Sequence, residues 1–190
     1  MKYILLSTRP KWCDKICHEI GKDENGKPIY EKRIEVRKTA PKEVPFKCYI
    51  YCTIGNGVKG DYLVPRGIQC GKVIGEFVCD KVYLIKNQGS MFSVADEEQS
   101  VTNEIARQSC LDYYDMVSYL GNKYGYGWHI SDLKIYDKPK ELSEFFRTCP
   151  TKEKGDCLSC DCLADNDYGG VCTNNLTRPP QSWCYVEELE

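Results

Sequence analysis

The rhythm of apolar and polar positions changes several times along the chain, and each change marks an element. Lys2–Thr8 ("KYILLST") is a short apolar run suited to a buried strand. Pro10 fits the first turn of a helix, and Trp12, Cys13, Ile16, Cys17 and Ile20 follow on one helical stripe that Gly21 ends. Asn25-Gly26 is a tight-turn signal, so a small hairpin leads into a strand around Ile34, closed by Pro41 and Pro45. Phe46–Gly55 is rich in strand formers, and Gly71–Ile85 reads as one longer strand with a bulge or bend at Gly75. Between them "GNGVKGDYLVPRG" is a glycine-rich loop that lacks the spacing and following Lys-Ser/Thr of a P-loop.

Gln88–Gln108 is polar and reads as loop with irregular helix. Leu111, Tyr114, Val117 and Leu120 then lie at helical spacing before Gly121. "YGWHISDLKIY" reads as a single strand, "PKELSEFF" as a short helix opened by Pro139, and "PPQSWCYVEEL" as a last strand. Residues 149–172 form a cysteine-rich insertion. This order predicts one α+β domain over residues 1–190, a small mixed β-barrel with flanking helices rather than a βαβ parallel sheet.

The stretch Glu31–Lys38 poses a question. Strand alternation puts Lys32, Ile34, Val36 and Lys38 on one side and Arg33, Glu35 and Arg37 on the other. A carboxylate between two guanidinium groups, opposite two apolar residues, is either solvated surface or the lining of a polar pocket.

Composition narrows the class. At 190 residues, 42% hydrophobic and 28% charged, the chain has the make-up of a soluble globular domain. No apolar run approaches the roughly 20 residues of a membrane helix, and the N-terminus lacks a small-residue cleavage site. The expected location is the cytoplasm, with no membrane partner. Thirteen cysteines there are thiols or metal ligands, their odd number excludes complete internal pairing, and the sequon at Asn175 is incidental. The net charge of −2 excludes a globally basic nucleic-acid binder. Its distribution is uneven: residues 1–60 carry 13 Lys and Arg against 7 Asp and Glu, and residues 61–190 carry 13 against 21. A basic first third can focus an anionic ligand.

Cys157 and Cys160 have the Cys-x-x-Cys knuckle spacing of a tetrahedral zinc site, which Cys149 and Cys172 would complete, with Cys162 as a competing ligand. Four thiolates leave no open position, so the zinc would be structural, ordering a polar insertion with little core of its own. Free thiols and redox chemistry are the other readings of this segment. "DCLADND" lacks EF-hand spacing. Cys13 and Cys17, beside His18, extend the first helix's apolar stripe and read as buried thiols.

Taken together, "ILLSTRPKWCDKI", "KRIEVRK", "FKCYIYCT" and "GKVIGEFVCDKV" resemble the ASCH family, a branch of the PUA-like β-barrels. "YGWHISDLKIYDKPKELSEF" and "PPQSWCYVEEL" look like the subgroup common in bacteriophages and their bacterial hosts. The likeness spans most of residues 3–145 and 179–189. It implies a cleft for RNA or a nucleotide-like ligand, bordered by the strand Lys32–Arg37 and the first helix.

In that cleft Arg9, Lys11 and Trp12 would offer cations beside an aromatic ring suited to stacking on a base, with Ser7 leading into the helix. Glu35 and Arg37 would hydrogen-bond a phosphate or a base edge, joined by Trp128 and Gln181. Trp12 is equally placed to be core. His129 is a second candidate, weighed against an ordinary satisfied strand histidine. Some small members of the resembled family are amidohydrolases on acylated cytidine, with a Lys-x-x-Thr pair and a distant glutamate. Here Lys32 matches the lysine, but Glu35 stands where the threonine belongs; Lys32 and Glu35 are the catalytic candidates, with Glu76 or Glu97 as the distant partner. A third reading is a phage accessory factor that engages a host protein through the cysteine-rich segment.

Overall fold

The computed structural model describes residues 1–54, 68–87, 92–121, 123–149 and 174–189. Strands β1 (Lys2–Thr8), β5 (Phe46–Cys52), β6 (Lys72–Cys79), β10 (Ser131–Lys140) and β11 (Trp183–Val186) make a first sheet, ordered β10-β6-β5-β1-β11. Strands β4 (Ile34–Arg37), β7 (Val82–Asn87), β8 (Phe92–Val94) and β9 (Gly125–His129) make a second, ordered β4-β9-β7-β8. A separate hairpin pairs β2 (Glu19–Lys22) with β3 (Pro28–Tyr30). The helices are α1 (Pro10–Cys17), α2 (Gln99–Ser109) and α3 (Tyr113–Leu120). The α+β class is as expected. The strands of the described residues form these two sheets and the hairpin, not a closed hydrogen-bonded barrel.

Period-two alternation assigns the layers. Ile4 and Leu6 of β1 and Phe46, Cys48, Ile50 and Cys52 of β5 face a central core with Cys13 and Ile16 of α1 and Trp128 of β9. Leu5, Tyr49 and Tyr51, on the opposite face, pack with Phe145, Leu176 and Val186. Ile34, Val36 and Ile85 of the second sheet are covered by Ile105 of α2 and by Met116 and Leu120 of α3.

Several sequence boundaries are corrected. The helix at Pro10 stops at Cys17, and Ile20 is exposed in β2. The turn wins over the helical stripe: Gly26 has a φ of 77°, and Asp23 Oδ1 accepts the Asn25 and Lys27 amides at 2.9 and 2.8 Å. Gly71–Ile85 is two strands in different sheets, split at Asp80-Lys81, and "YGWHISDLKIY" is likewise split at Ile130. His129 N donates to Lys81 O, tying the two corners together, and Ile130 N donates to Arg33 O ahead of β4, both at 2.9 Å. Gly75 does mark an irregularity. The β5–β6 register shifts beside it, and a Cβ there would lie 2.5 Å from Lys134 O of the crossing β10. Pro139 lies within β10 rather than opening a helix, and only a 3-10 turn, Leu142–Glu144, follows.

Candidate functional site

All four residues of β4 are buried. Ile34 and Val36 enter the core under α2 and α3. Glu35 and Arg37 point the other way, opposite Trp128 and Tyr126 in the β4–β9 register. Arg37 Nη2 lies 2.7 Å from Glu35 Oε1 and donates to Ser7 O at 2.8 Å and to Thr8 Oγ1 at 3.3 Å. Lys32 completes the group: its Nζ is 3.3 Å from Glu35 Oε2 and donates to Ser109 O at 2.6 Å.

The placement of Lys32 corrects the alternation argument, which put it beside Ile34 and Val36. Regular strand begins only at Ile34. Lys32 N is bonded to Lys15 O at 3.1 Å and Arg33 N to Gln108 O at 2.9 Å, so the ends of α1 and α2 orient this residue, not the pleat.

The group is dry. Lys32, Glu35 and Arg37 are 2%, 4% and 8% exposed. Enclosing three charges costs several kcal/mol per ion before pairing, on general grounds. One carboxylate serves two cations here, and Arg37 Nε has no hydrogen-bond partner among the described residues. Burial pushes the Lys32 ammonium below its ordinary value, against the pull of Glu35 and Cys110. The nearby Cys110 thiol is pushed up by burial, opposed by Lys32 and Lys15.

Around this group lie most of the residues expected in a cleft. The Trp12 ring is half-buried, 5.1 Å from Lys32 Nζ and 4.4 Å from Lys11 Nζ. Arg9 and Lys11 are exposed at the start of α1, where Arg9 O accepts the Trp12 amide at 2.9 Å. Gln181 is exposed too, and its neighbours anchor it: Ser7 Oγ donates to Pro180 O at 2.7 Å, and Ser7 N to Ser182 O at 2.9 Å. Both Gln181 and Arg37 are thus held to the same residue, Ser7.

Other candidates fall elsewhere. Trp128 is fully enclosed, edge-on to Phe46 and Trp183 at 5.1 and 5.8 Å. His129 Nδ1 sits 2.6 Å from Asp80 Oδ1 beside a shallow hollow of about 390 Å³ that Arg33 and Glu104 also line. Glu76 bonds Tyr136 Oη at 2.6 Å and Lys47 Nζ at 2.9 Å, and Glu97 meets Lys81 Nζ at 3.0 Å. Neither glutamate joins Lys32. Sequence reasoning missed Thr8, Ser109 and Tyr119. Ser109 acts on Lys32 through its carbonyl, which no side-chain pattern can reveal, whereas Tyr119, raised by burial and pulled down by Arg37, lay in a recognised helix but off its expected apolar stripe.

Cys149 is buried, and its amide donates to Glu187 Oε1 at 3.0 Å. Cys157, Cys160, Cys162 and Cys172 lie outside the described residues, as does the glycine-rich loop 55–67. Among the described residues no group of three His, Cys, Asp or Glu could hold a metal ion, and no helix is long and apolar enough to cross a membrane.

Two sheets joined at tied corners, with a buried ionic group where the first strand meets the first helix, define a mixed α+β domain of ASCH-like fold. The crystal structure of ASCH from Zymomonas mobilis superposes with a TM-score of 0.50 at 14% identity, covering 98% of this chain and 89% of that one. A tyrosine-to-phenylalanine mutant of the same protein gives 0.52 at 14%, covering 99% and 92%, and a serine-to-alanine mutant gives 0.51 at 14%, covering 98% and 89%. At that identity the likeness establishes the fold alone. No family model and no curated protein matches the sequence.

Proposed function

We propose that the chain is a binding module for single-stranded RNA or a modified nucleotide. The ligand meets the rim formed by Arg9, Lys11, Trp12 and Gln181, above Glu35 and Arg37. The observation that carries this reading is the buried Lys32–Glu35–Arg37 group, whose Arg37 Nε lacks a partner among the described residues, directly beside a ring flanked by two lysines. A costly, incompletely bonded polar group is better explained by a ligand's demands than by the fold's. Stacking on Trp12 and phosphate neutralisation by Arg9 and Lys11 would supply affinity, and Arg37 with Gln181 would read an edge. The ASCH-like fold agrees with this reading.

Fluorescence anisotropy with a labelled single-stranded ribo-oligonucleotide, competed by nucleoside monophosphates, tests it. Saturable binding is expected, weakened by roughly 5- to 150-fold in Trp12→Ala, the equivalent of about 1–3 kcal/mol of stacking. Absence of saturable binding to either probe would reject it. Nuclease-resistant capture of a protein through residues 149–172 would instead favour the accessory-factor role.

A second reading rests on Lys32. Burial disfavours the charged form of this amine, the direction a general base needs, and a hydrolase of acylated cytidine would use it with Glu35. Turnover of an acylated cytidine panel, lost in Lys32→Ala, would establish that activity.

For the insertion, the reading remains a structural zinc on Cys149, Cys157, Cys160 and Cys172. Its base supports this. Arg147 N donates to Asn174 O, and Asn174 Nδ2 to Arg147 O, both at 3.0 Å, and Cys149 and Cys172 each lie two residues from this clamp. Native mass spectrometry of protein purified without added metal should report one zinc per chain, absent after Cys157→Ser with Cys160→Ser.

A further inference from the structure

Three thiols outside the ionic group converge at the end of β5. Cys52 Sγ lies 3.7 Å from Cys70 Sγ, and Cys13 Sγ approaches from α1, donating to Thr8 O at 3.6 Å. Cys52 and Cys13 are fully buried, whereas Cys70 is partly exposed. The backbone enforces the close approach. Cys52 pairs in register with Lys72, two residues beyond Cys70, so a regular ladder would carry Cys70 past it. Gly71, at a φ of 80°, turns the chain back, and its amide donates to Cys52 O at 2.7 Å.

Buried cysteine commonly serves as a small hydrophobe. This pair differs in having one residue partly exposed to solvent and a second, buried sulfur only 3.7 Å from the first, within a short side-chain rotation of bonding distance. We propose that Cys52 and Cys70 are an oxidisable dithiol, a modification site that takes a hydroperoxide as oxidant and closes to an intramolecular disulfide. The Cys70 sulfur attacks the O–O bond of hydrogen peroxide, giving a sulfenic acid and one water. The Cys52 sulfur then attacks the Cys70 sulfur, the S–O bond breaks, and the departing hydroxide leaves as the second water with the Cys52 proton. Two thiols are oxidised by two electrons, and one peroxide is reduced to two waters.

The acidities favour the second step and slow the first. A hydrogen bond from Cys13 lowers Cys52, favouring the thiolate needed for the second step, whereas burial and the neighbouring Cys52 push Cys70 up to about 11. The first step is therefore slow, as suits a thiol that responds to sustained oxidant rather than one that turns over. The pair also lies next to the ionic group. Thr53 N donates to Thr8 O at 2.9 Å, the carbonyl that Cys13 also reaches, and Thr8 Oγ1 accepts from Arg37.

The reduced full-length protein is treated with hydrogen peroxide, remaining thiols are capped with N-ethylmaleimide, and tryptic peptides are weighed. The expected product joins peptide 48–59 to peptide 67–72 with the loss of two hydrogens, fragmentation places the bridge at Cys52 rather than Cys48, and dithiothreitol releases both halves. Cys70→Ser, at the more exposed position, should abolish this product while the reduced variant keeps its unfolding midpoint. Recovery of Cys52 and Cys70 both capped, at peroxide doses that oxidise other thiols of the chain, overturns the proposal. So does a bridge from either residue to any third cysteine. The readout is independent of what the Arg37 site binds.

Discussion

The four residues of β4 look into two different interiors. On one side Ile34 and Val36 meet Ile85, Ile105 and Met116, and each apolar side chain taken from water contributes about 1.5–3 kcal/mol whatever its neighbours' exact orientation. On the other side Glu35 and Arg37, with Lys32 reaching in from before the strand, form a dry ionic group whose pairing only partly offsets desolvation. The first face holds the strand in place. The second gains the fold little, so its presence points to what the strand carries there.

The largest effect should come from Glu35→Ala. It leaves Lys32 and Arg37 as two enclosed cations without their shared carboxylate, and breaking a buried pair in this way costs about 3–5 kcal/mol. Urea unfolding measures it, and a loss under about 1 kcal/mol would mean that water reaches this face. The complementary experiment replaces the whole group, as Lys32→Met with Glu35→Leu and Arg37→Met. Stability should stay level or rise by about 1–4 kcal/mol, with oligonucleotide binding abolished. A less stable triple variant would assign the charges to the fold instead.

The same contrast has a pH form. Lys32 has a folded value below its unfolded one of about 10.4. Between those two values the unfolded chain binds more protons, so the contribution of Lys32 to stability rises with pH across that window. Burial pushes Cys13, Cys48 and Cys79 up, and these act in the opposite sense: their unfolded thiols ionise first, and stability falls as pH climbs past about 8.5. Subtracting the pH curve of Lys32→Met from that of the parent protein isolates the rising component. A flat difference between pH 7 and 10 would show that Lys32 titrates normally.

How much of this was legible depends on which residues carried the signal. The hairpin at Asn25-Gly26, the strands at Lys2–Thr8 and Phe46–Cys52, and the helix ending at Gly121 follow from turn chemistry and apolar period. Helix α2 read only as loop with irregular helix because two of its three buried residues are polar. Thr102 Oγ1 accepts the Val94 amide at 3.1 Å, and Ser109 Oγ donates to Ala106 O at 2.7 Å. The corners at Asp80-Lys81 and Ile130 were missed for a different reason: strand-forming residues run on both sides of each, and pairing across the sheets reveals the change of sheet. At the site, Glu35 and Arg37 were placed inward by the pleat, but Lys32 obeyed hydrogen bonds to the ends of α1 and α2, which no local pattern encodes.

A milder change sharpens the apolar side of the comparison. Ile34→Val removes one methylene from a position that is 1% exposed and should cost about 0.5–1.5 kcal/mol, read from the urea midpoint. Oligonucleotide affinity should not change, because Ile34 faces away from Glu35. A shift in affinity would mean that the helix-side core sets the position of Arg37.

The smallest effect should lie on the outer surface of α2. Glu104 takes two hydrogen bonds from Arg107, at 2.8 and 2.6 Å, and these hold its carboxyl down at about 2. The folded value is below the unfolded one, so the contribution is present above about pH 4.3 and is lost as pH falls toward the folded value. Both side chains are largely exposed, and solvent screening reduces such pairs to little. Glu104→Gln should therefore change stability at pH 7 by about a tenth of the Glu35→Ala effect or less. Glu104 also accepts from Gln108 Nε2 at 2.6 Å, and Gln108 O holds the Arg33 amide next to Lys32. A larger loss, accompanied by weaker oligonucleotide binding, would show that this surface pair fixes the end of α2 and, through it, the buried lysine.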